Sequence, residues 1–342
     1  MRVAVDAMGG DNAPRVTVAG AVEAARSGVP VTLVGREDEV RAQLASFADA
    51  GALPVEVAGA TEVVEMHEHP VTAVRRKRDS SIAVGMRLLK EGQADAFYSA
   101  GNSGAMMAAA IFVLDRIEGV HRPAIGAVLP LPAGRCLLVD AGATADCEAP
   151  HLLQFAQLGA VYVEHVFGVR RPRVGLVSNG EEETKGNALV QATHPLLRAS
   201  GLNFVGNVEG KDVTNGLVDV AVCDGFTGNV MLKTAEGVQE LIFNLVREAA
   251  GSKLHYRLAG AVLRPALRAV ARRLDYAEVG GAPLIGVQGA VYIGHGRSNQ
   301  KAIASGIRTA AEAASSELLR RLQAAVGATA APAGAPASPP AG

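Results

Sequence analysis

Eight short apolar runs, each breaking off at glycine or at a polar residue near one, constrain this chain more than any other feature. They are Val3–Val5 into Asp6, Val31–Val34 into Gly35, Ala94–Tyr98 into Ser99, and Cys136–Val139 into Asp140. The others are Val174–Val177 into Ser178, Asn203–Gly206 toward Glu209, Val218–Cys223 into Asp224, and Val291–Ile293 into Gly294 and His295. Between them lie helical stretches: Val16–Ser27, Glu37–Asp49, Ser103–Glu118, Ala149–Phe167, Asn187–Ala199 and Asn229–Ala250. Apolar strands that alternate with helices predict a mostly parallel sheet covered on both faces. In such a sheet, ligands sit beyond the carboxyl ends of the strands. Asp6, Ser99, Asp140, Ser178, Glu209, Asp224 and His295 all fall there, which predicts one shared cleft.

Composition narrows the function. The 33 Lys and Arg residues nearly balance the 34 Asp and Glu, which argues against a general nucleic-acid binder. Glycine is abundant at 39 of 342 residues while aromatics are only 4% with no Trp, a balance that suits backbone loops around small anions better than base stacking. Cys136, Cys147 and Cys223 form no CxxC pair and read as reduced thiols. The N-terminus lacks a signal peptide's long apolar region, and no run is long enough to span a bilayer, so the chain reads as cytoplasmic. Residues 1–326 read as a single α/β catalytic unit and 327–342, rich in Ala, Pro and Gly, as a disordered tail. Within the unit, 249–274 carries cations and no acid. Its Arg257, Arg264 and Arg268 share a helical sector beside Leu254, Leu258 and Val262, an amphipathic basic excursion that Gly260 and Pro265 are expected to split into two short helices.

Several motifs have the residue types that anion chemistry needs. In DAMGGDNAP at 6–14, adjacent Gly9 and Gly10 let backbone approach a ligand and Asp11 stands ready to cap a helix. It lacks GxGxxG, so a nicotinamide site is not supported. SAGNSGA at 99–105 is a strand-to-helix turn whose Ser99, Asn102, Ser103 and Gly104 are suited to cradling phosphate oxygens. The order GNSGA is not the GxSxG of a serine hydrolase. Gly-Asn recurs at 101–102, 186–187, 206–207 and 228–229, three times within runs that mix carboxylate and glycine. Arg75, Arg76, Lys77 and Arg78 form a basic run that is either a solvated face or a dock for an acidic partner. His67 and His69 have no third ligand nearby, so no metal is expected.

Together these motifs resemble the PlsX-type phosphate acyltransferases of bacterial phospholipid synthesis. The resemblance runs through DAMGGDNAP, RRKRDSS at 75–81, SAGNSGA, GEEETKGN at 180–187, GNVEGKD at 206–212 and VCDGFTGN at 222–229. It continues to GGAPLIGVQG at 280–289 and HGRSN at 295–299. Thr144 and Thr184 depart from the residues usual in the family. The resemblance implies a three-layer αβα, isocitrate/isopropylmalate dehydrogenase-like fold, as in phosphotransacetylases, and no cofactor. It implies transfer of a long-chain acyl group from acyl carrier protein to inorganic phosphate, by a homodimer. The acyl phosphate would pass to a membrane-bound, acylphosphate-using glycerol-3-phosphate acyltransferase, which fits peripheral association of the basic excursion with the inner face of the membrane. On this reading Asp6, Gly9, Gly10, Asp11, Ser99, Asn102, Ser103 and Gly104 bind phosphate. Lys185 and Asn187 join in holding phosphate and the oxyanion, Asp224 and Asn229 orient them, and His295 protonates the leaving thiolate. The alternatives are an acyl-CoA-using phosphotransacylase and a non-catalytic membrane or carrier-protein scaffold.

Overall fold

Alternate residues of each strand face different helical layers, and this assembles the molecule. The structure is a computed structural model that describes residues 1–131, 134–274, 280–314 and 316–330. Its strands are β1 (Val3–Asp6), β2 (Val31–Gly35), β3 (Val55–Gly59), β4 (Ala96–Ser99), β5 (Ala124–Leu131) and β6 (Gly134–Val139). Then follow β7 (Val174–Val177), β8 (Phe204–Val208), β9 (Val220–Val222), β10 (Ala282–Ile285) and β11 (Ala290–Ile293). The helices are α1 (Arg15–Arg26), α2 (Glu37–Leu44), α3 (Pro70–Arg76), α4 (Ser81–Lys90), α5 (Ser103–Ala109), α6 (Ala149–Tyr162) and α7 (Ala188–Ala199). The rest are α8 (Gly210–Thr214), α9 (Gly225–Gly251), α10 (Leu254–Leu274), α11 (Gln300–Ala313) and α12 (Ser316–Ala330). Val3, Val5, Leu137, Val139, Val220 and Val222 enter one core with α1, α6, α11 and α12. Their neighbours Ala4, Leu138 and Ala221 enter a second core on the opposite face with α4 and α5. That two-residue alternation, apolar on both sides, is what a sheet buried between two helical layers requires.

The eleven strands form one sheet in the order β3-β2-β1-β4-β11-β10-β5-β6-β9-β7-β8. All eight strands expected from the sequence are present. Three others were not foreseen: β3, β5 and β10. Strand β3 is half-buried at the sheet edge, while β5 and β10 contain Pro130 and Pro283. They also supply all the antiparallel pairing, between β11, β10, β5 and β6. Strand β10 positions the site. Its first two residues pair with the end of β11 and its last two with the start of β5. The two parallel halves therefore run in opposite senses, and the carboxyl ends of β11 and β6 approach one cleft three inter-strand spacings apart, ~14 Å.

The basic excursion differs from expectation. Helix α10 runs unbroken through Gly260 and Pro265, and the chain breaks instead at Ser252 and Lys253, between α9 and α10. Proline removes one helical N–H, and at this exposed site water can satisfy the carbonyl left over. At the other end, α12 continues to Ala330, four residues into the stretch expected to be a disordered tail. The remaining tail residues, 331–342, lie outside the described residues.

Candidate active site

One wall of the cleft is built on a buried carboxylate. Asp6 ends β1 almost fully buried, where its Oδ2 accepts from Ser99 Oγ at 2.6 Å and its Oδ1 from the Met8 N–H at 3.1 Å. Ser99 Oγ in turn accepts from the Gly101 N–H at 3.0 Å. Burial pushes the Asp6 carboxyl above its ordinary pKa, opposed by the hydrogen bonds from Ser81, Ser99 and the backbone. A side chain at Gly9 would meet Asp6 Oδ2 at 2.5 Å and Gly101 N at 2.8 Å, so only glycine lets these two turns pack. Asp6 and Ser99 were expected to bind phosphate. Instead they are anchors for the turn that carries Gly101 and Ser103, and their polar atoms are occupied within the protein. Asn102 is likewise occupied. Its Oδ1 caps α5 at the Ala105 N–H, and its Nδ2 donates to the carbonyls of Glu65, Met66 and Glu68. Gly104 makes room for Pro70, a packing role rather than a ligand contact.

The opposite wall repeats the device with Asp140, which ends β6. Its Oδ1 accepts from the N–H groups of Ile125, Gly142 and Ala143, each at 3.0 Å, and its Oδ2 from Thr144 N–H at 2.7 Å. Thr144 contributes through its backbone, so its departure from the usual family residue leaves this anchor intact. Helix α9 starts against the same loop. Asp224 caps it by accepting from Thr227 N and Oγ1 at 2.9 and 2.7 Å, and Gly225 N–H donates to the Thr144 carbonyl at 2.8 Å. A Cβ at Gly228 would sit 1.9 Å from the Asp140 carbonyl oxygen. Both Asp224 carboxylate oxygens are thus occupied in capping α9.

Between the walls lies a cavity of about 610 Å³. Ile125, Ala127, Val128, Leu232, Ala282 and Ile293 line an apolar part, while Ser103, Asn229, Lys233, His295 and Arg297 bring polar groups. Asn229, Leu232, Lys233 and Glu236 stand at i, i+3, i+4 and i+7 on α9, one helical face turned to the cavity. His295 follows β11 on the other side, and its Nε2 is 3.3 Å from Lys233 Nζ. Burial, then the Lys233 charge, lower the His295 pKa, so the ring is neutral at neutral pH. Its other nitrogen, Nδ1, stands 3.2 Å from the Arg297 N–H, so both ring nitrogens have donor neighbours. The thiols offer no competing nucleophile: burial pushes Cys136 up to about 12 and Cys147 up to about 11, and Cys223 well above its ordinary value.

Of the residues expected to work together, the cavity gathers Ser103, Asn229 and His295. Gly10 and Asp11 border it through Gly296, whose carbonyl accepts from the Asp11 N–H at 2.9 Å. Lys185 and Asn187 do not line it. They lie in the exposed loop after β7, two strands from β6 and thus about 10 Å along the same edge, and Asn187 Oδ1 caps α7 at the Val190 N–H. Nearby, carboxylate oxygens of Glu181, Glu209 and Asp212 come within 4.8 Å of one another, with Lys211 ion-paired to both glutamates. The expected single cleft therefore divides, and the β7–β8 loops form a separate polar edge. In the basic run, Arg75, Arg76 and Arg78 are exposed, but Lys77 is tied to Glu68 at 2.6 Å and the Val63 carbonyl at 2.7 Å. Sequence reasoning missed Lys233, Glu236 and Arg297. Lys233 was within reach, since it lies one helical turn beyond Asn229.

The sequence matches the family described as Fatty acid synthesis protein over residues 1–321. The phosphate acyltransferase of Pelotomaculum thermopropionicum is 49% identical over 327 residues, covering 95% of either chain. That of Anaeromyxobacter dehalogenans is 52% identical over 324 residues, 95% of this chain and 90% of its own. Among solved structures, a phosphotransacetylase from Streptococcus pyogenes superposes with a TM-score of 0.60 at 18% identity, covering 92% of this chain and 94% of that one. A branched-chain phosphotransacylase from Enterococcus faecalis reaches 0.54 at 12% identity over 92% and 99% of the two chains. The fold is that of the phosphotransacetylases, and with the relatives it defines the class: an enzyme of acyl transfer to phosphate. Within that class the chain belongs to the phosphate acyltransferase family, whose PlsX-type motifs it carries from Asp6 to Asn299.

Proposed function

We propose that this enzyme moves a long-chain acyl group from the thioester of acyl carrier protein to inorganic phosphate, for phospholipid synthesis. The observation that carries this reading is the cavity itself, apolar along β5, β10 and β11 and polar where α9 faces His295. Phosphate is already an anion, so the protein need not generate a nucleophile. A phosphate oxygen adds its lone pair to the thioester carbon while the carbonyl π pair moves to oxygen. The intermediate collapses with cleavage of the C–S bond, and the thiolate leaves with that pair and is protonated by water. Ser103 Oγ, the Asn229 amide and the Lys233 ammonium supply donors where negative charge develops. The lowered pKa of His295 makes it a weaker candidate for the expected role of protonating the leaving thiolate.

The remaining proposals concern partners. Arg75, Arg76 and Arg78 lie on and just after α3, beside the 65–69 loop whose Met66 borders the cavity, a position suited to docking an acidic carrier protein. Helices α9 and α10 expose Leu241, Ile242, Leu245 and Val262, with Arg257, Arg264 and Arg268 on one face of α10. The side chains of Leu254 and Leu258 lie outside the described residues. No described helix is long and apolar enough to cross a membrane. We assign this hairpin to peripheral contact with an anionic leaflet, each cation adding ~1 kcal/mol at most. The working form is proposed to be a cytoplasmic homodimer that delivers acyl phosphate to a membrane glycerol-3-phosphate acyltransferase.

The deciding measurement is phosphate-dependent release of free carrier protein by the purified enzyme. Faster turnover with acyl-CoA would favour the phosphotransacylase alternative, and no acyl phosphate from either donor would leave only a scaffold. Val262→Glu, at a site 80% exposed, is expected to abolish sedimentation with anionic vesicles and leave the melting temperature unchanged. Retained sedimentation removes the membrane assignment.

A further inference from the structure

The polar edge formed by the β7–β8 loops holds two buried atoms that the protein itself does not serve. Asn207 is only 5% exposed, and its Oδ1, like Ser178 Oγ, is buried with no hydrogen-bond partner among the described residues. A buried acceptor in that condition costs free energy that a ligand can recover. Both atoms belong to one face of the strand pair. Leu176 of β7 stands opposite Asn207 of β8, and the Ser178 N–H continues the ladder to the Val208 carbonyl at 2.9 Å. Alternation therefore puts Ser178 and Glu209 on the face of Asn207. The Asn207 amide is turned toward the 179–187 loop, since its Nδ2 donates to the Glu182 carbonyl at 2.8 Å, one residue from Glu181. There the carboxylates of Glu181, Glu209 and Asp212 gather within 4.8 Å of one another. Lys211 is ion-paired to Glu181 at 3.6 Å and to Glu209, so the cluster sets three negative charges against one positive.

We propose that Glu181, Glu209 and Asp212, with Asn207 Oδ1 behind them, form a divalent-cation site that fastens the loop of Glu181 to helix α8. The donors are carboxylate and amide oxygens with a hydroxyl beside them, a set that selects a hard cation such as Ca²⁺ or Mg²⁺ over zinc. The spacing favours the larger ion. Ligands on opposite sides of Ca²⁺ stand up to ~5 Å apart, against ~4.2 Å across Mg²⁺. Carboxylate oxygens already within 4.8 Å of one another fit Ca²⁺ with little movement, whereas Mg²⁺ draws them inward. The cation displaces the Lys211 ammonium, whose side chain is 63% exposed and passes into water at little cost. Glu209 and Asp212 can bind it while still making the capping box of α8, because a carboxylate has more lone pairs than that box uses. The site stands apart from the acyl-transfer cavity, and no step of the proposed reaction depends on it.

The test is calorimetric titration of the chelator-treated full chain with CaCl₂ and, separately, with MgCl₂. One saturable site per chain is expected, tighter for Ca²⁺ than for Mg²⁺, and the melting temperature should rise as either cation is added. Glu181→Gln alters an exposed side chain, so the metal-free melt should stay unchanged while Ca²⁺ binding weakens ~10-fold or more. Lys211→Met should act with the opposite sign and tighten binding a few-fold, because no ammonium has to be displaced. The assignment is overturned if neither cation binds saturably below ~1 mM, the weak end of protein calcium sites. It is equally overturned if binding occurs but is the same in wild type, Glu181→Gln and Lys211→Met, which would mark diffuse attraction to surface acids.

Discussion

The Ser99–Gly104 turn and the Gly180–Asn187 loop look alike in sequence, since both follow a strand and mix glycine, hydroxyl and amide groups. In the structure they differ. The first is laid against a buried aspartate, and Asp6, Ser99 and Asn102 are all satisfied inside the protein. The second is exposed, with Lys185 and its glutamates toward solvent and Asn187 occupied as a helix cap. A motif rich in polar groups thus contributes to a site mostly through the one or two members left unsatisfied. Here that member is Ser103, which lines the cavity beside residues from α9 and β11.

Substitutions should separate the two regions. Asp6→Ala leaves the Ser99 hydroxyl and the Met8 N–H without their acceptor in a dry environment, an expected loss of ~2–4 kcal/mol in a denaturant melt together with most of the activity. Asp6→Asn, which keeps one acceptor, should lose about half as much. A wild-type melt for Asp6→Ala would mean the inner turn is no better anchored than the outer loop. In the outer loop, Lys185→Ala should leave the melt unchanged and lower kcat/KM by less than about ten-fold, because no described side-chain contact holds it and it does not line the cavity. A loss of 10²-fold or more would show that this loop closes over the site and that the division drawn between the regions is wrong.

The smallest effect is on pH dependence. His295 is faced by Lys233, Glu236, Arg297 and Asp11, and its folded pKa lies below the ordinary value of 6.5. The unfolded chain therefore binds a proton that the folded protein resists. Stability attributable to His295 is complete above the unfolded pKa and declines as pH falls through about 6.5 toward the lower folded value. His295→Asn should flatten, without abolishing, the loss of melting temperature on mild acidification, since His151 is shifted in the same direction. An unaltered slope would remove His295 from the acid response.

What was legible in the sequence was periodic or local. The eight parallel-type strands were recognisable from apolar runs and their glycine-marked ends, and Asn229 and His295, singled out from their motifs, both line the cavity. Strands β5 and β10 were missed because each apolar run carries a proline, which in sequence reads against a strand. Those are the strands that reverse the sheet and bring its two sets of carboxyl ends together.

The two-faced sheet, eight of its eleven strands and the family were readable from the chain, because side-chain alternation and motif order are encoded over a few neighbouring residues at a time. Which polar residues face the cavity was settled by long-range packing. Asp6 is satisfied by Ser99, 93 residues away, whereas Lys233 faces His295 across 62 residues. A polar side chain is an anchor or a ligand according to whether its partner is protein or empty space, and that partner is chosen by long-range packing.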